Sequence, residues 1–431
     1  MAFERRAGAL WAEQVAIEAI IADVGTPLFI YSASLIREQA RAVRAAFEPL
    51  GAEVRYAVKA NSNLSVLGLL LAEGCGMDVV SGGELRRARR AGCAGADICF
   101  AGVSKSEKEI RSALGLDAEG HEPVGLINIE SASELQLLDR IAREAGVRAS
   151  ALLRVNPDVD AKTHRFTTTG LTDSKFGINP GEALELFRTA DLFPGVELLG
   201  LHAHIGSPIH EPAQYAAAAG RLGELASRMR SIGRDVRILN LGGGFAHGYG
   251  TSAAEPVSAY ADAVRMTIGD EIERGTRILI EPGRVITAGG GLLVVGVMHV
   301  KDNGHRSFAL CDAGMNALAR PALYEAHHRV EPVRRRTGAE RLADVAGPLC
   351  ESSDFLARER RLAPIEAGDA IAVFDAGAYG MSMASNYNEH PKPAEVLVDG
   401  DRWSVVRERQ SFDDLIRHDR PPVWRSHDRK S

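Results

Sequence analysis

From residue 54 onward, short apolar runs alternate with amphipathic stretches, and this rhythm constrains the fold more than any other feature. Val54–Val58 is followed by helical spacing over Leu64–Ala72. Met77–Val80, Ile98–Ala101, Val124–Ile127, Ala149–Val155, Leu198–His202, Ile238–Leu241 and Arg277–Glu281 come next, each set off from its neighbour by a helical pattern. Strands that alternate with helices are joined by crossovers, so they form a parallel sheet. Eight such units predict an α/β fold whose sheet closes into a (β/α)8 barrel.

After Gly283 the rhythm changes. Leu292–Lys301, Ser307–Cys311, Asp344–Ala346, Ala370–Phe374, Val396–Val398 and Trp403–Arg407 read as strands with few helices between them. Before the barrel, residues 10–24 read as a helix ended by Gly25, and Thr26–Tyr31 as a short strand. The expected organisation is therefore a segment 1–30 packing on the second domain, a barrel over 31–289, a mostly antiparallel β domain over 290–415, and a tail over 416–431. Gly289-Gly290-Gly291 is the expected hinge.

Composition narrows the function. A net charge of −6 leaves no domain-wide basic balance, which argues against a nucleic-acid protein. Arg334-Arg335-Arg336 and the stretch from Arg417 to Lys430 read as a solvated face and a frayed end. Five cysteines, Cys75, Cys93, Cys99, Cys311 and Cys350, are an odd number without a CxxC pair, the pattern of a reducing compartment. Met-Ala-Phe-Glu-Arg-Arg has no signal-peptide core, and no apolar run is long enough to span a membrane. A cytoplasmic protein that binds neither membrane nor nucleic acid is expected.

Barrel active sites gather at the C-terminal ends of the strands. Lys59 follows the first strand, and Asp78 and Ser81 end the second. Asn156-Pro157-Asp158-Val159-Asp160, His202 with His204 and Ser207, Gly242–Gly244, and Glu281-Pro282-Gly283-Arg284 mark four more strand ends. Taken alone, Lys59 has two readings: an ammonium snorkelling to solvent, or an amine whose pKa is depressed by burial. His202 and His204 would share a face if the strand ran through both. Such a pair also occurs in metal-dependent hydrolases, but the remaining strand ends offer glycines and one glutamate rather than further ligands, so no metal is expected. Glycines after a strand let backbone amides approach a phosphate. An amine, a phosphate cradle, an acid and a flat imidazole together describe a site for pyridoxal 5'-phosphate.

The segment Tyr56-Ala57-Val58-Lys59-Ala60-Asn61-Ser62-Asn63 resembles the cofactor lysine of the fold-type III decarboxylases. Asp78–Leu85, Arg154–His164, Lys175-Phe176-Gly177-Ile178 and His202–Ser207 are similar to the diaminopimelate decarboxylases within that group. So are Asp312–Asn316, Arg320-Pro321-Ala322-Leu323-Tyr324, Gly347–Phe355 and Gly377-Ala378-Tyr379-Gly380, and the resemblance runs from about Gly25 to about Glu395. It implies an alanine-racemase-like plan of barrel plus β domain.

It also implies roles. Lys59 would form the Schiff base, Asp78 would lie in the cofactor site, and His204 would stack on the ring. Ser207, Gly243 and Gly244 would hold the phosphate, Glu281 would pair with the pyridine nitrogen, and Gly283, Arg284 and Tyr379 would reach cofactor or substrate. Arg320 and Tyr324 would clamp a distal carboxylate, Glu351 would bind the distal amine, and Cys350 would donate the proton. In this family the cysteine segment enters the partner subunit's site, so a homodimer with shared sites is implied. The implied reaction converts meso-2,6-diaminopimelate to L-lysine and carbon dioxide. Decarboxylases of ornithine, lysine or arginine are the alternative, and Arg320 and Tyr324 argue against them. Glu281 argues against a racemase, in which an arginine usually faces that nitrogen, and residues 290–415 argue against a barrel-only cofactor carrier. Departures from the family pattern are Ala203, Pro208 and the loop Arg165–Gly170.

Overall fold

Eight parallel strands close on themselves in the computed structural model, which describes residues 2–160, 175–250, 253–304 and 306–424. Residues 161–170, which include the end of the Arg154–His164 motif and the polar loop, lie outside the described residues, as does the tail from 425. Four strands precede the barrel: β1 (Phe3–Arg6), β2 (Ala9–Ala12), β3 (Val15–Ala16) and β4 (Leu28–Ser32). The barrel comprises β5 (Glu53–Ala57), β6 (Gly76–Val79), β7 (Ile98–Phe100), β8 (Leu126–Ile129), β9 (Ala149–Arg154), β10 (Val196–His202), β11 (Ile238–Asn240) and β12 (Arg277–Ile280). Each pairs with its neighbour in chain order, and β12 pairs with β5.

Side chains two apart on a strand share a face, and this periodicity builds the barrel interior in tiers. Cys99, Leu126, Leu152, Ile238 and Leu279 pack together as an apolar plug. Two residues further along four of these strands stand Asn128, Arg154, Asn240 and Glu281, all buried. The plug is apolar and buried, and the polar tier lies nearer the C-terminal ends of the strands.

The second sheet contains β13 (Gly291–Asp302), β14 (Ser307–Cys311), β15 (Val330–Pro332), β16 (Arg341–Ala346), β17 (Phe355–Leu362), β18 (Ala370–Val373), β19 (Ala394–Asp399) and β20 (Arg402–Arg407). Its main path runs β17-β16-β14-β13-β4-β19-β20, with β18 on β13 and β15 on β18. Most pairings are antiparallel; β14 with β16 and β4 with β19 are parallel.

Three expectations change. Residues 10–24 are not one helix: β2 and β3 form a hairpin, and the helix is Ile17–Val24, ended by Gly25 as expected. The turn between them carries Glu13 at φ 52. Its carboxylate accepts from Ser32 Oγ at 2.6 Å and from Gly400 N–H at 2.6 Å, clipping the hairpin to β4 and to the β19–β20 turn. Tyr31 and Ser32 continue β4 in the second sheet, where Tyr31 lies opposite Gly291. The glycines 289–291 are a tight crossing and not a hinge. A Cβ on Gly291 would sit 2.4 Å from Gly377 Cα, and one on Gly290 would sit 2.7 Å from Ile36.

Ser81 is a helix cap, accepting from Glu84 N–H at 3.2 Å at the start of Gly82–Arg90. Arg334, Arg335 and Arg336 pair with Glu18, Glu340 and Asp369 on the surface. Among the described residues, no helix is long and apolar enough to cross a membrane.

Candidate active site

The strand β5 ends at Ala57, and Lys59 lies in the turn that follows. That turn is pinned by the second sheet's domain: Tyr379 N–H donates to Ala60 O at 2.8 Å, and Asn61 Nδ2 donates to Gly377 O at 3.0 Å. Lys59 Nζ donates to Asp78 Oδ2 at 2.8 Å. The lysine side chain keeps 32% of its surface open, whereas Asp78 is fully buried. Burial alone would lower the amine's pKa, but Asp78 and then Glu281 outweigh it and hold the ammonium above the ordinary lysine value. Neither initial reading of Lys59 therefore stands. It is neither a snorkelling residue nor an amine depressed by burial, because two carboxylates face it.

Those carboxylates are driven apart. Asp78 is pushed up by burial and by the neighbouring charge of Glu281. Glu281 is buried too, but His202 and Lys59 hold it well below the usual carboxylate range. Asn240 Nδ2 donates to Glu281 Oε1 at 2.7 Å, and His202 Nε2 lies 3.3 Å from Oε2 without hydrogen-bond geometry. The environment thus favours the charged form of Glu281 and disfavours that of Asp78 beside the amine.

The strand β10 ends at His202, so the alternation argument stops before His204. His202 meets Glu281, while His204 Nδ1 accepts from Gly243 N–H at 3.2 Å. Burial, with Lys59 and Arg154 nearby, lowers the His204 pKa to about 3. The ring is neutral and carries its proton on Nε2. The same bond occupies the Gly243 amide, which removes one of the two glycine donors expected for a phosphate. Gly244 has no such partner among the described residues, and its φ of 102 with Gly206 O 2.3 Å from any Cβ requires glycine.

Arg284 is buried at the start of the turn Arg284–Thr287. Its Nε donates to Ser207 Oγ at 3.1 Å, its Nη1 donates to Tyr249 Oη at 2.8 Å, and its guanidinium stacks 4.7 Å from the Tyr379 ring centroid. Tyr379 holds its place with a left-handed φ of 56. Arg320 is also buried; its Nη1 donates to His328 Nε2 at 3.1 Å, and its guanidinium lies 4.5 Å from the Tyr249 ring centroid. His328 Nδ1 donates to Phe374 O at 2.8 Å, which fixes the tautomer that accepts from Arg320. Among the described residues neither arginine has a carboxylate within ion-pair distance, although buried cations are otherwise paired. Two unneutralised buried guanidiniums are two places for anions. With the amine, the neutral imidazole and the ionised Glu281, this donor set fits pyridoxal phosphate and a carboxylate-bearing substrate.

Tyr324 lies on the same short helix as Arg320, Arg320–Tyr324, and is half-buried. The structure does not bring Cys350 and Glu351 to this cluster. Cys350 is exposed, its N–H donating to Asn388 Oδ1 at 2.9 Å, and Glu351 meets Ser353 and Tyr387. The other four cysteines are buried, and burial pushes Cys75 up to about 11 and Cys93 up to about 12. Sequence reasoning missed Asn240, Tyr249 and His328. Asn240 was within reach, two residues beyond Ile238 on a barrel strand; Tyr249 and His328 lie in loops that carry no pattern.

Residues 33–288 match the family of pyridoxal-dependent decarboxylases, pyridoxal binding domain. A diaminopimelate decarboxylase of Pseudomonas fluorescens is 44% identical over 416 residues, covering 96% of this chain and 98% of that one. That of Vibrio cholerae is 41% identical over 408 residues, covering 95% and 96%. A crystal structure of diaminopimelate decarboxylase from M. jannaschii in complex with L-lysine superposes with a TM-score of 0.91 at 33% identity, covering 98% of both chains.

Proposed function

The chain belongs to the diaminopimelate decarboxylases, a branch of the pyridoxal-dependent decarboxylases, and we propose that its barrel mouth is where meso-2,6-diaminopimelate loses carbon dioxide to become L-lysine. The observation that carries this reading is the pair of buried arginines, Arg284 and Arg320, that have no carboxylate partner among the described residues. One suits a phosphate and the other a carboxylate that survives the reaction. A relative's structure holding L-lysine, a product that keeps one carboxylate, supports the second assignment.

When bound, pyridoxal phosphate supplies an aldehyde that condenses with amines and a ring that accepts the electron pair left by departing carbon dioxide. Lys59 is the amine that would hold it. Asp78 Oδ2, 2.8 Å away, orients that amine, and burial with the charge of Glu281 pushes the Asp78 pKa up. Glu281, held well below the usual carboxylate range by His202 and Lys59 and oriented by Asn240, would pair with the ring nitrogen and favour its protonated form. His204, neutral and held by Gly243 N–H, offers a flat face that adds no charge. Ser207, Gly244, Gly283 and Arg284 receive the phosphate. Tyr379 closes over Arg284 from the second domain.

The product's L-centre must survive, so the enzyme has to hold that end and expose the other. Arg320, with Tyr324 beside it, binds the retained carboxylate, and Glu351 of the partner subunit meets the retained amine. Cys350 of the partner subunit protonates the carbon that lost its carboxylate, a role open to a thiol that is exposed on its own chain. The reading includes a homodimer of the cytoplasm; the dimer is supported by Cys350, which among the described residues has no hydrogen bond into the Lys59 cluster of its own chain.

Two results test this. Carbon-dioxide release should be fast with meso-diaminopimelate and at least about a hundredfold slower with lysine or ornithine, which lack the distal carboxylate. Equal rates on lysine would defeat the Arg320 assignment and favour a basic amino-acid decarboxylase. Shared sites predict complementation: K59A and C350A are each inactive, but mixed subunits regain about a quarter of the wild-type rate, because half the dimers form and each has one intact site. No recovery on mixing places Cys350 in its own chain's site or outside catalysis.

A further inference from the structure

We propose that Tyr249 is a positioning residue that holds Arg284 and Arg320 together at the spacing which makes the site accept a phosphate and a substrate carboxylate side by side. The inference deepens the reading above and rests on it.

Two guanidiniums facing one cleft repel each other, and each is desolvated, so something must hold them there before any anion arrives. Tyr249 touches both. Its hydroxyl oxygen accepts from Arg284 Nη1 at 2.8 Å, and its ring face lies 4.5 Å from the Arg320 guanidinium. A phenol is suited to this because it presents a lone pair at one end and a negative ring face along its length. No carboxylate does the same job among the described residues, and one would neutralise the arginines and compete with the ligands. A neutral bridge keeps both charges available.

The bridge is itself fixed from several sides. Tyr249 O accepts from His327 Nδ1 at 3.1 Å. The ring packs edge-on to His328 at 5.3 Å and to His247 at 5.2 Å. His328 is the residue whose Nε2 accepts from Arg320, and His247 Nε2 lies 2.9 Å from Asp375 Oδ1. Tyr249 also belongs to the loop that follows the Gly242–Gly244 turn, so one peptide segment links the glycine turn to the second domain's arginine.

The hydroxyl hydrogen-bonds Arg284 while the ring face lies closer to Arg320, at 4.5 Å, than to Arg284, at 6.0 Å, and two substitutions weight these contacts differently. Y249F removes the acceptor for Arg284 and leaves the ring under Arg320. In the full-length enzyme its dissociation constant for pyridoxal phosphate, read by visible absorbance, should rise about tenfold, while the KM for meso-diaminopimelate at saturating cofactor stays within about twofold. Y249L removes both contacts. It should show the same cofactor loss together with about tenfold weaker binding of L-lysine, read from the absorbance change, and an unchanged affinity for cadaverine, the diamine without a carboxylate. Equal weakening of L-lysine and cadaverine, or no weakening of either, would overturn the proposal in favour of simple packing. Y249F also guards against a folding defect: if it melts like wild type yet binds cofactor normally, the Arg284 half is wrong. A wild-type enzyme that fails to prefer meso-diaminopimelate defeats the underlying reading instead.

Discussion

Replacing Lys59 by alanine should lower turnover to below about one ten-thousandth of the wild-type rate and abolish the visible absorption of lysine-bound cofactor. The expectation follows from what surrounds the amine. Asp78 at 2.8 Å and Glu281 beyond it orient the amine and hold its pKa above the ordinary lysine value. The described residues place no second lysine beside Asp78, so nothing replaces the lost nucleophile. The carboxylates adjust: without the ammonium, Asp78 rises further and takes up a proton, so K59A should fold and melt near wild type even though it cannot react. Two measurements check this. Borohydride treatment of wild type followed by peptide mass analysis should place a pyridoxyl group on Lys59, and K59A should show none. A colourless wild-type enzyme at full activity would contradict the whole assignment.

The parts of this site legible in the sequence are those governed by periodicity. Lys59, Asp78, His202 and Glu281 sit at or just past strand ends, and alternating side chains send Asn128, Arg154, Asn240 and Glu281 inward above the plug. That logic fails once the strand stops, as at His204, whose environment is set by the Gly243 amide. It fails also where structure depends on distant contacts. The stretch from Leu10 to Val24 has enough spaced aliphatics to read as a helix, yet Glu13 turns it into a hairpin through bonds to Ser32 and Gly400. Phe355–Leu362, with Arg358, Glu359, Arg360 and Arg361 in its middle, has no apolar alternation, but it pairs with β16 along most of its length. Tyr249 and His328 are visible only once two domains meet. The Gly289–Gly291 run shows the converse error: glycine permits freedom, but here it permits backbone to pack on backbone.

Glu281→Gln should separate chemistry from binding. The substitution keeps the shape and, through the side-chain oxygen, can keep the 2.7 Å contact with Asn240 Nδ2, but it removes the one carboxylate here that stays ionised. That charge is held low by His202 and Lys59 against the cost of burial, so the fold invests in keeping it. In the proposed function its use would be to keep the cofactor's ring nitrogen protonated, since an unprotonated ring takes up an electron pair poorly. Turnover should fall by about 10²–10³, the range for losing one preorganised charge at a reacting group. Cofactor affinity should change by less than about threefold, because on the proposed reading Arg284, Ser207 and Gly244 would carry the phosphate. The amine responds as well: with Glu281 neutral, one of the two charges that raise Lys59 is gone, and the pKa governing its condensation with the aldehyde should shift down. Single-turnover carbon-dioxide release at saturating cofactor reads the first effect, and absorbance titration across pH reads the other two. If E281Q released carbon dioxide at the wild-type rate, the ring would not need its nitrogen proton, and the distinction from a racemase-type site, which places an arginine there, would fall with it.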